Sequence, residues 1–397
     1  MKRTLMHRNQ ELLDFEIDLM TGEVDIIDAP RADDALLHAL GFSGPDLAAS
    51  VAGIIYERRI FSKRDDISEI LEAFGVRSNT ELVFMGHGLS LSDKLWYRAP
   101  GATERWEDIN FFDNEWDDSF YQSVLTRNYK ILASCSPDVP DLTTKGRLRK
   151  AWERTKDGIY LLKEPNFEDG SDLESELLSA NLCSRLFGQD IYQPLSIVER
   201  SGRRFISSPL MIGCDEELIH SYRLLSMCGF DNNEAYELMG PVTPQLYGDV
   251  MARVGVADAS AQVAKLFAFK ALALVRDLHS GNYGVILNFE TNARRATPPF
   301  DYGHSLGFIS VDIPLGLFCR NPDLVALCCA RTFSNLDPSW DWSWYDPHTL
   351  EGFENHILEA YSRNEALPSN FGEVIARLFV TQREYVNGVA YKALQRK

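Results

Sequence analysis

The sequence predicts an α+β protein in three parts: an N-terminal accessory α+β region over 1–130, a mixed lobe with an antiparallel sheet and one helix over 131–215, and a mostly helical lobe over 216–397. Three observations predict this division. Strand-type alternation with turn signals fills the middle part, long apolar helical segments fill the last, and the Pro-rich run Ser136-Pro137-Asp138-Val139-Pro140 sets the first boundary.

A chain of 397 residues with 45% hydrophobic and 25% charged composition is globular and long enough for several cores. A net charge of -18 lacks the cationic surplus that drives counterion release, so no direct nucleic-acid or anionic-membrane partner is expected. The clearest local basic stretch is Lys145-Gly146-Arg147-Leu148-Arg149-Lys150. Seven cysteines form no CxxC pair and no Cys/His metal spacing, and read as reduced thiols. Charged residues at the N-terminus are followed by no apolar stretch, so the expected location is the cytoplasm. The most apolar long segment, Ala259 to Val275, carries Gln262, Lys265 and Lys270 and suits a buried helix rather than a membrane span.

Taken in order, Leu12 to Ile27 alternates, with Phe15, Ile17 and Leu19 on one face, a turn at Thr21-Gly22, and Val24 and Ile26 returning as a hairpin. Helices follow over Ala35 to Leu40 and over Asp66 to Phe74, the second stopped by Gly75. Gly86 to Asn114 is rich in aromatics and short turns without a dominant period. Beyond the Pro-rich run, two strands flank Lys156-Asp157-Gly158, and Ile159, Leu161 and Lys163 share a face of the second. Ser171 and Glu174 form a capping box ahead of a helix with Leu173, Glu176, Ala180 and Cys183 along one stripe. Strands over Leu195 to Val198 and Arg204 to Ser207 enclose a Ser201-Gly202 turn, and the apolar connector Leu210-Met211-Ile212-Gly213 leads into the helical part. That part is interrupted by a strand over Tyr283 to Leu287 and a partner strand before Asp301.

The chemistry concentrates in Arg276-Asp277-Leu278-His279-Ser280-Gly281-Asn282 and Phe300-Asp301-Tyr302-Gly303. The Asp277-to-Asn282 interval is that of a kinase catalytic loop, and Asp301 stands in a Phe-Asp-x-Gly context like a metal-binding aspartate. Phosphoryl transfer needs a cation on the nucleotide phosphates, metal ions bridging them and a carboxylate that positions the attacking hydroxyl. The candidates are Lys163 for the cation on the phosphates, Glu176 to hold that ammonium, Asp277 for the positioning carboxylate, and Asn282 with Asp301 for the oxygen ligands that Mg²⁺ accepts. The loop Asp141 to Lys150 stands where a phosphate-covering loop belongs, with Lys145 and Gly146 as nucleotide-binding candidates and Arg147 or Lys150 as further phosphate contacts, but no GxGxxG or Walker A pattern. Met211 and Gly213 in the connector complete the nucleotide-site candidates. Each residue also has a bland reading: a strand-end lysine, a solvated glutamate, an exposed basic turn, or turn-forming Asp and Asn. His279 reads as a residue that fixes loop shape, and Trp340-Asp341-Trp342-Ser343-Trp344-Tyr345 as packing of the helical part.

These residues resemble the HipA-like serine/threonine kinases of bacteria. The resemblance rests on Gly158-Ile159-Tyr160-Leu161-Leu162-Lys163, Ser175-Glu176-Leu177-Leu178-Ser179, Asp277-x-His279-x-x-Asn282 and Pro299-Phe300-Asp301-x-Gly303-x-Ser305-Leu306. Gly88 to Trp96 and Trp106 to Phe112 resemble a segment of the stand-alone branch of that family. The resemblance implies a two-lobed, protein-kinase-like fold that uses ATP and Mg²⁺ to phosphorylate serine or threonine of a protein substrate. It implies Asp277 as catalytic aspartate, Asn282 and Asp301 as metal ligands, and Lys163 as phosphate anchor. Some relatives are toxins restrained by a small DNA-binding antitoxin, which makes such an antitoxin the implied partner. The chain departs from the family at Leu278, where the loop usually carries arginine. A nucleotide-binding pseudokinase and a small-molecule kinase are the alternative functions.

Overall fold

Strands β1 (Lys2–His7), β2 (Gln10–Ile17), β3 (Val24–Ile26) and β4 (Leu95–Arg98) form an antiparallel sheet in the order β3-β2-β1-β4. The computed structural model describes residues 1–42, 46–167, 170, 172–188, 191–220, 222–230, 241–307 and 315–396. The expected hairpin is β2–β3, pairing Phe15 with Ile26 and Ile17 with Val24. Leu5, Leu13, Phe15 and Ile17 face Leu37, Val51, Ile54 and Ile55 from helices laid across the sheet. The helix expected over Ala35 to Leu40 spans Asp34–Ala39, with the Asp33 carboxylate accepting from Leu36 N at 2.8 Å. The next expected helix spans Ile67–Phe74 and ends at Gly75, whose φ of 68° is the left-handed cap conformation. A further helix, Leu47–Arg58, has no clean apolar stripe in the sequence because Ser50 and Arg58 are among its buried residues.

The second sheet, β5 (Lys150–Thr155), β6 (Gly158–Lys163), β7 (Ser196–Arg200) and β8 (Arg203–Pro209), has the order β5-β6-β8-β7. Both expected hairpins form, and Ser201 and Gly202 with φ of 50° and 71° make the tight β7–β8 turn. Helix Leu173–Phe187 connects β6 to β7. It begins with Asp172 rather than Ser171 at its N-cap, and Ser171 lies outside the described residues. The Asp172 carboxylate accepts instead from Asn166 N at 2.7 Å and Phe167 N at 3.2 Å, holding the loop that leaves β6. Phe120, Val124, Leu132 and Val139 pack with Ala151, Leu162 and Phe205 of this sheet, so the Pro-rich run contributes Val139 to a core shared across it.

In the last part the sequence signals one strand pair, whereas the described residues form three strands: β9 (Glu216–His220), β10 (Gly284–Asn288) and β11 (Arg294–Ala296), in the order β11-β10-β9. Strand β9 is hidden in the pattern because its inward residue Glu217 is charged. Glu217 Oε1 is paired there with His7 Nε2 at 2.6 Å, and Arg223 offsets the charge of Oε2 from 3.8 Å without a hydrogen bond. Helices Pro244–Arg253, Ala259–Leu272, Phe353–Ser362 and Phe371–Leu394 share one core that also takes Trp342. Trp340, Trp342 and Trp344 stack with centroids 6.5 and 6.0 Å apart, as core packing and not as a surface. The seven cysteines are free thiols, five of them buried. Among the described residues no helix is long and apolar enough to cross a membrane.

Candidate functional site

A cleft of about 1320 Å³ opens between the second sheet and the helical part, with the end of helix Leu47–Arg58 on a third side. Its charged floor is built from β6. The register of β5 and β6 sets Lys150 directly opposite Lys163, which places two ammonium groups at one edge of the cleft. Lys163 Nζ donates to Glu176 Oε2 at 2.7 Å and to Asp301 Oδ1 at 3.3 Å. Glu176 lies in the first turn of helix Leu173–Phe187 with a side chain only 2% exposed, and its Oε1 has no hydrogen-bond partner among the described residues.

The helix and the Asp301 segment are bolted together by hydroxyls. Ser175 Oγ donates to Ser305 O at 2.8 Å, Ser179 Oγ lies 2.7 Å from Ser305 Oγ, and Ser305 Oγ donates to Tyr302 O at 2.6 Å. These fully buried bonds fix Glu176 relative to Asp301. Asp301 itself has a φ of 60°, a left-handed conformation that costs a non-glycine residue energy and is typical of functional sites. At Gly303 an added methyl would stand 3.6 Å from Glu176 Oε1, 3.8 Å from Asp301 Oδ1 and 3.9 Å from Lys163 Nζ. Glycine therefore keeps the space among the three charges open.

The Asp277 segment runs from the end of helix Ala259–Leu272 into β10. Arg276 N donates to His304 O and Leu306 N to Ala273 O, lacing it to the Asp301 segment. His279 Nδ1 accepts from Gly281 N at 3.0 Å and starts a 3-10 turn over Ser280–Asn282, the loop-shaping part expected for it. Asn282 Nδ2 donates to Asp277 O at 2.7 Å, which leaves its side-chain oxygen without a hydrogen bond among the described residues. The Asp277 side chain is exposed and lines the cleft with Asn282 and Asp301. Leu278 points the other way, 7% exposed, into the core of the helical part.

Electrostatics follow from this packing. The Lys163 ammonium, with Lys150 assisting, holds the Asp301 carboxyl down to about 2, although the Asp301 side chain is half exposed to the cleft. Burial alone would lower Lys163, but Glu176 and Asp301 reverse the direction and raise it, so it stays charged. Lys150 is pushed down to about 8 by burial, with Asp301 opposing. Its neighbour Gly146 has a φ of 103°, and a Cβ there would collide with Lys150 Nζ.

The structure thus brings Lys163, Glu176, Asp277, Asn282, Asp301, Met211, Gly146 and Lys145 to one cleft. Two placements differ from expectation in detail. Gly213 lies off the cleft lining, in the turn into β9, where its N–H donates to Glu216 Oε2 at 3.0 Å. The charged neighbours of Lys145 are Glu57, Arg58 and Arg59, not Asp301. Lys150 instead reaches the acidic end, and its signal in the sequence was the position at the head of β5, directly across the hairpin from Lys163. The contribution of Arg58, Asp93 and Arg223 to the wall is invisible in sequence, because long-range packing alone joins them.

No protein-family model matches the chain, and no curated protein matches it in sequence. Solved structures similar to it include a proinflammatory kinase, CtkA, of Helicobacter pylori, at TM-score 0.45 and 12% identity, covering 63% of this chain and 96% of that one. Another is the HipA chain in a complex of HipA, HipB and operator DNA of Shewanella oneidensis, at TM-score 0.45 and 11% identity, covering 99% of this chain and 96% of that one. At that distance a likeness carries no residue roles across.

Proposed function

We propose that the chain is an ATP- and Mg²⁺-dependent phosphotransferase with a two-lobed, kinase-like arrangement, acting on serine or threonine of a protein as the HipA-like kinases do. The observation that carries this reading is the Glu176–Lys163–Asp301 triad facing Asp277 and Asn282 across one cleft. The donor set suits the metal: an ionised carboxylate and a carboxamide oxygen free of other bonds are the hard oxygens that Mg²⁺ takes alongside phosphate oxygens. Asp301 and Asn282 would hold the ion together with phosphate oxygens of the nucleotide. When bound, the metal neutralises charge on those phosphate oxygens.

The chain's own groups do the rest. Lys163, held by Glu176, and Lys150 beside it bind the phosphates, while Leu161, Leu195, Ile206 and Met211 offer an apolar bed for the base. Asp277 accepts a hydrogen bond from the acceptor hydroxyl and orients it. The hydroxyl oxygen forms a bond to the γ-phosphorus as the bond to the β,γ-bridging oxygen breaks. ADP leaves with that electron pair, and the hydroxyl proton passes to the Asp277 carboxylate.

Thermal unfolding with Mg·ADP tests the nucleotide half of this reading. At a hundredfold excess over Kd the nucleotide contributes about 2.7 kcal/mol, and Asp301→Asn removes the Mg²⁺-dependent share. No stabilisation of the wild type would contradict it. A second reading, nucleotide binding without transfer, is favoured by Leu278, which turns into the core and supplies no cation to the loop. A toxin role with a small DNA-binding antitoxin rests on the sequence resemblance alone, and co-purification with the product of an adjacent reading frame tests it.

A further inference from the structure

A cleft of about 1320 Å³ exceeds the roughly 300–1,000 Å³ that one small ligand occupies. Lys163, Lys150, Asp301 and Asn282 account for one end. Another part of the lining is made by Tyr56 to Ser62, Ser78 to Thr80 and Lys145, and its chemistry is different. Arg58 is 4% exposed there, with Nη2 donating to Asp93 and to Leu95 O, and Nη1 without a hydrogen-bond partner among the described residues. A buried guanidinium nitrogen left unpaired is costly and marks a place for an acceptor. Lys145 Nζ makes no hydrogen bond or ion pair among the described residues, although burial pushes its pKa down. Arg59 lies over the Tyr56 ring at 4.3 Å and donates to Thr80 Oγ1 at 3.3 Å, which leaves the rest of its guanidinium fork toward the opening. Tyr56 and Phe61, 48% and 42% exposed, are the large apolar side chains of this wall.

Three cations therefore converge where Glu57 is the neighbouring acid and Asp93 is already shared with Arg223. The chain as a whole carries a net charge of -18, so general attraction does not bring acidic partners here and the complementarity is local. Tyr56, Arg58, Arg59 and Phe61 come from the end of helix Leu47–Arg58 and the residues just after it, and Lys145 comes from a second segment. Two exposed rings beside the cations suit a polypeptide with carboxylate and apolar side chains rather than a single small anion. We propose that this wall receives an acidic stretch of the acceptor protein, its carboxylates on Lys145 and Arg59 with the buried charge of Arg58 behind them, and its apolar part on Tyr56 and Phe61. The proposal names the acceptor class for the phosphotransfer reading above and rests on it, and it assigns Lys145 to the acceptor rather than to the nucleotide.

Fluorescence anisotropy on the full chain with Mg·ADP present tests it, using short labelled serine peptides flanked by either Asp/Gly or Lys/Gly. The acidic peptide is expected to bind at least about tenfold tighter, equivalent to about 1.4 kcal/mol. Arg59→Glu and Lys145→Glu are each expected to reverse the preference toward the basic peptide, with the Mg·ADP affinity of Arg59→Glu within about twofold of wild type. Equal binding of the two peptides by the wild type, or an unchanged preference in both variants, overturns the proposal. The readout needs no transfer: acidic-peptide binding without labelled product sinks the kinase reading alone, and transfer without acidic preference sinks this inference alone.

Discussion

Removing the ammonium of Lys163 exposes how the charged triad is balanced. In Lys163→Met the Glu176 carboxyl, 2% exposed, loses its only hydrogen-bond partner among the described residues and either stays charged and unpaired or takes up a proton. Breaking a buried pair costs about 3–5 kcal/mol, and protonation sets a ceiling on that cost. Protonating a carboxyl whose ordinary pKa is 4.5 costs about 3.4 kcal/mol at pH 7 and about 0.7 kcal/mol at pH 5. The folded variant then binds a proton that the unfolded chain releases above 4.5, so its deficit relative to wild type grows as pH rises. Lys163→Met/Glu176→Gln has no charge to bury at this position and is expected within about 1 kcal/mol of wild type at both pH values. Urea denaturation of the three proteins at pH 5 and pH 7 measures all of this. A Lys163→Met deficit that does not change with pH, or a double variant no more stable than the single one, refutes the ion-pair account.

Asp141 is 1% exposed, and burial pushes its carboxyl up to about 7, although it accepts from Trp152 N at 2.9 Å. Its folded pKa lies above the unfolded value, so its contribution favours folding at low pH and is lost between about 4 and 7; Asp141→Asn is expected to flatten that slope by up to about 4 kcal/mol in urea titrations across the range. Gly146→Ala combines a φ of 103° with a clash against Lys150 Nζ, and weaker Mg·ADP binding by about tenfold in calorimetry is the expected result. Trp342→Ala removes a side chain 1% exposed between two stacked indoles, and a loss of about 3–5 kcal/mol by denaturant titration is expected.

Much of this arrangement is legible in the sequence because it is local. The β5–β6 turn at Asp157-Gly158 and the Ser201-Gly202 turn announce their hairpins, and alternation along Ile159, Leu161 and Lys163 already aims the lysine at the cleft. Charges that fold inward are not legible. Glu217 in β9 and Arg58 at the end of its helix read as surface residues until His7 is brought to the first and Asp93 to the second from distant segments. The helix start shifted from Ser171 to Asp172 for the same kind of reason, since Asp172 serves the backbone of the preceding loop. Lys145 and Lys150 are five residues apart in one basic stretch, and only the strand register separates the one beside Asp301 from the one beside Arg59.

The most direct test of the phosphotransfer claim is the transfer of label from γ-labelled ATP to protein by the wild type and by Asp277→Asn, with Mg²⁺ and with the metal chelated. The account predicts Mg²⁺-dependent labelling by the wild type and a loss of roughly two to four orders of magnitude in rate in the variant, the usual worth of a positioned proton acceptor. Undiminished labelling by Asp277→Asn, or a wild type that binds Mg·ADP but never transfers phosphate, would contradict it.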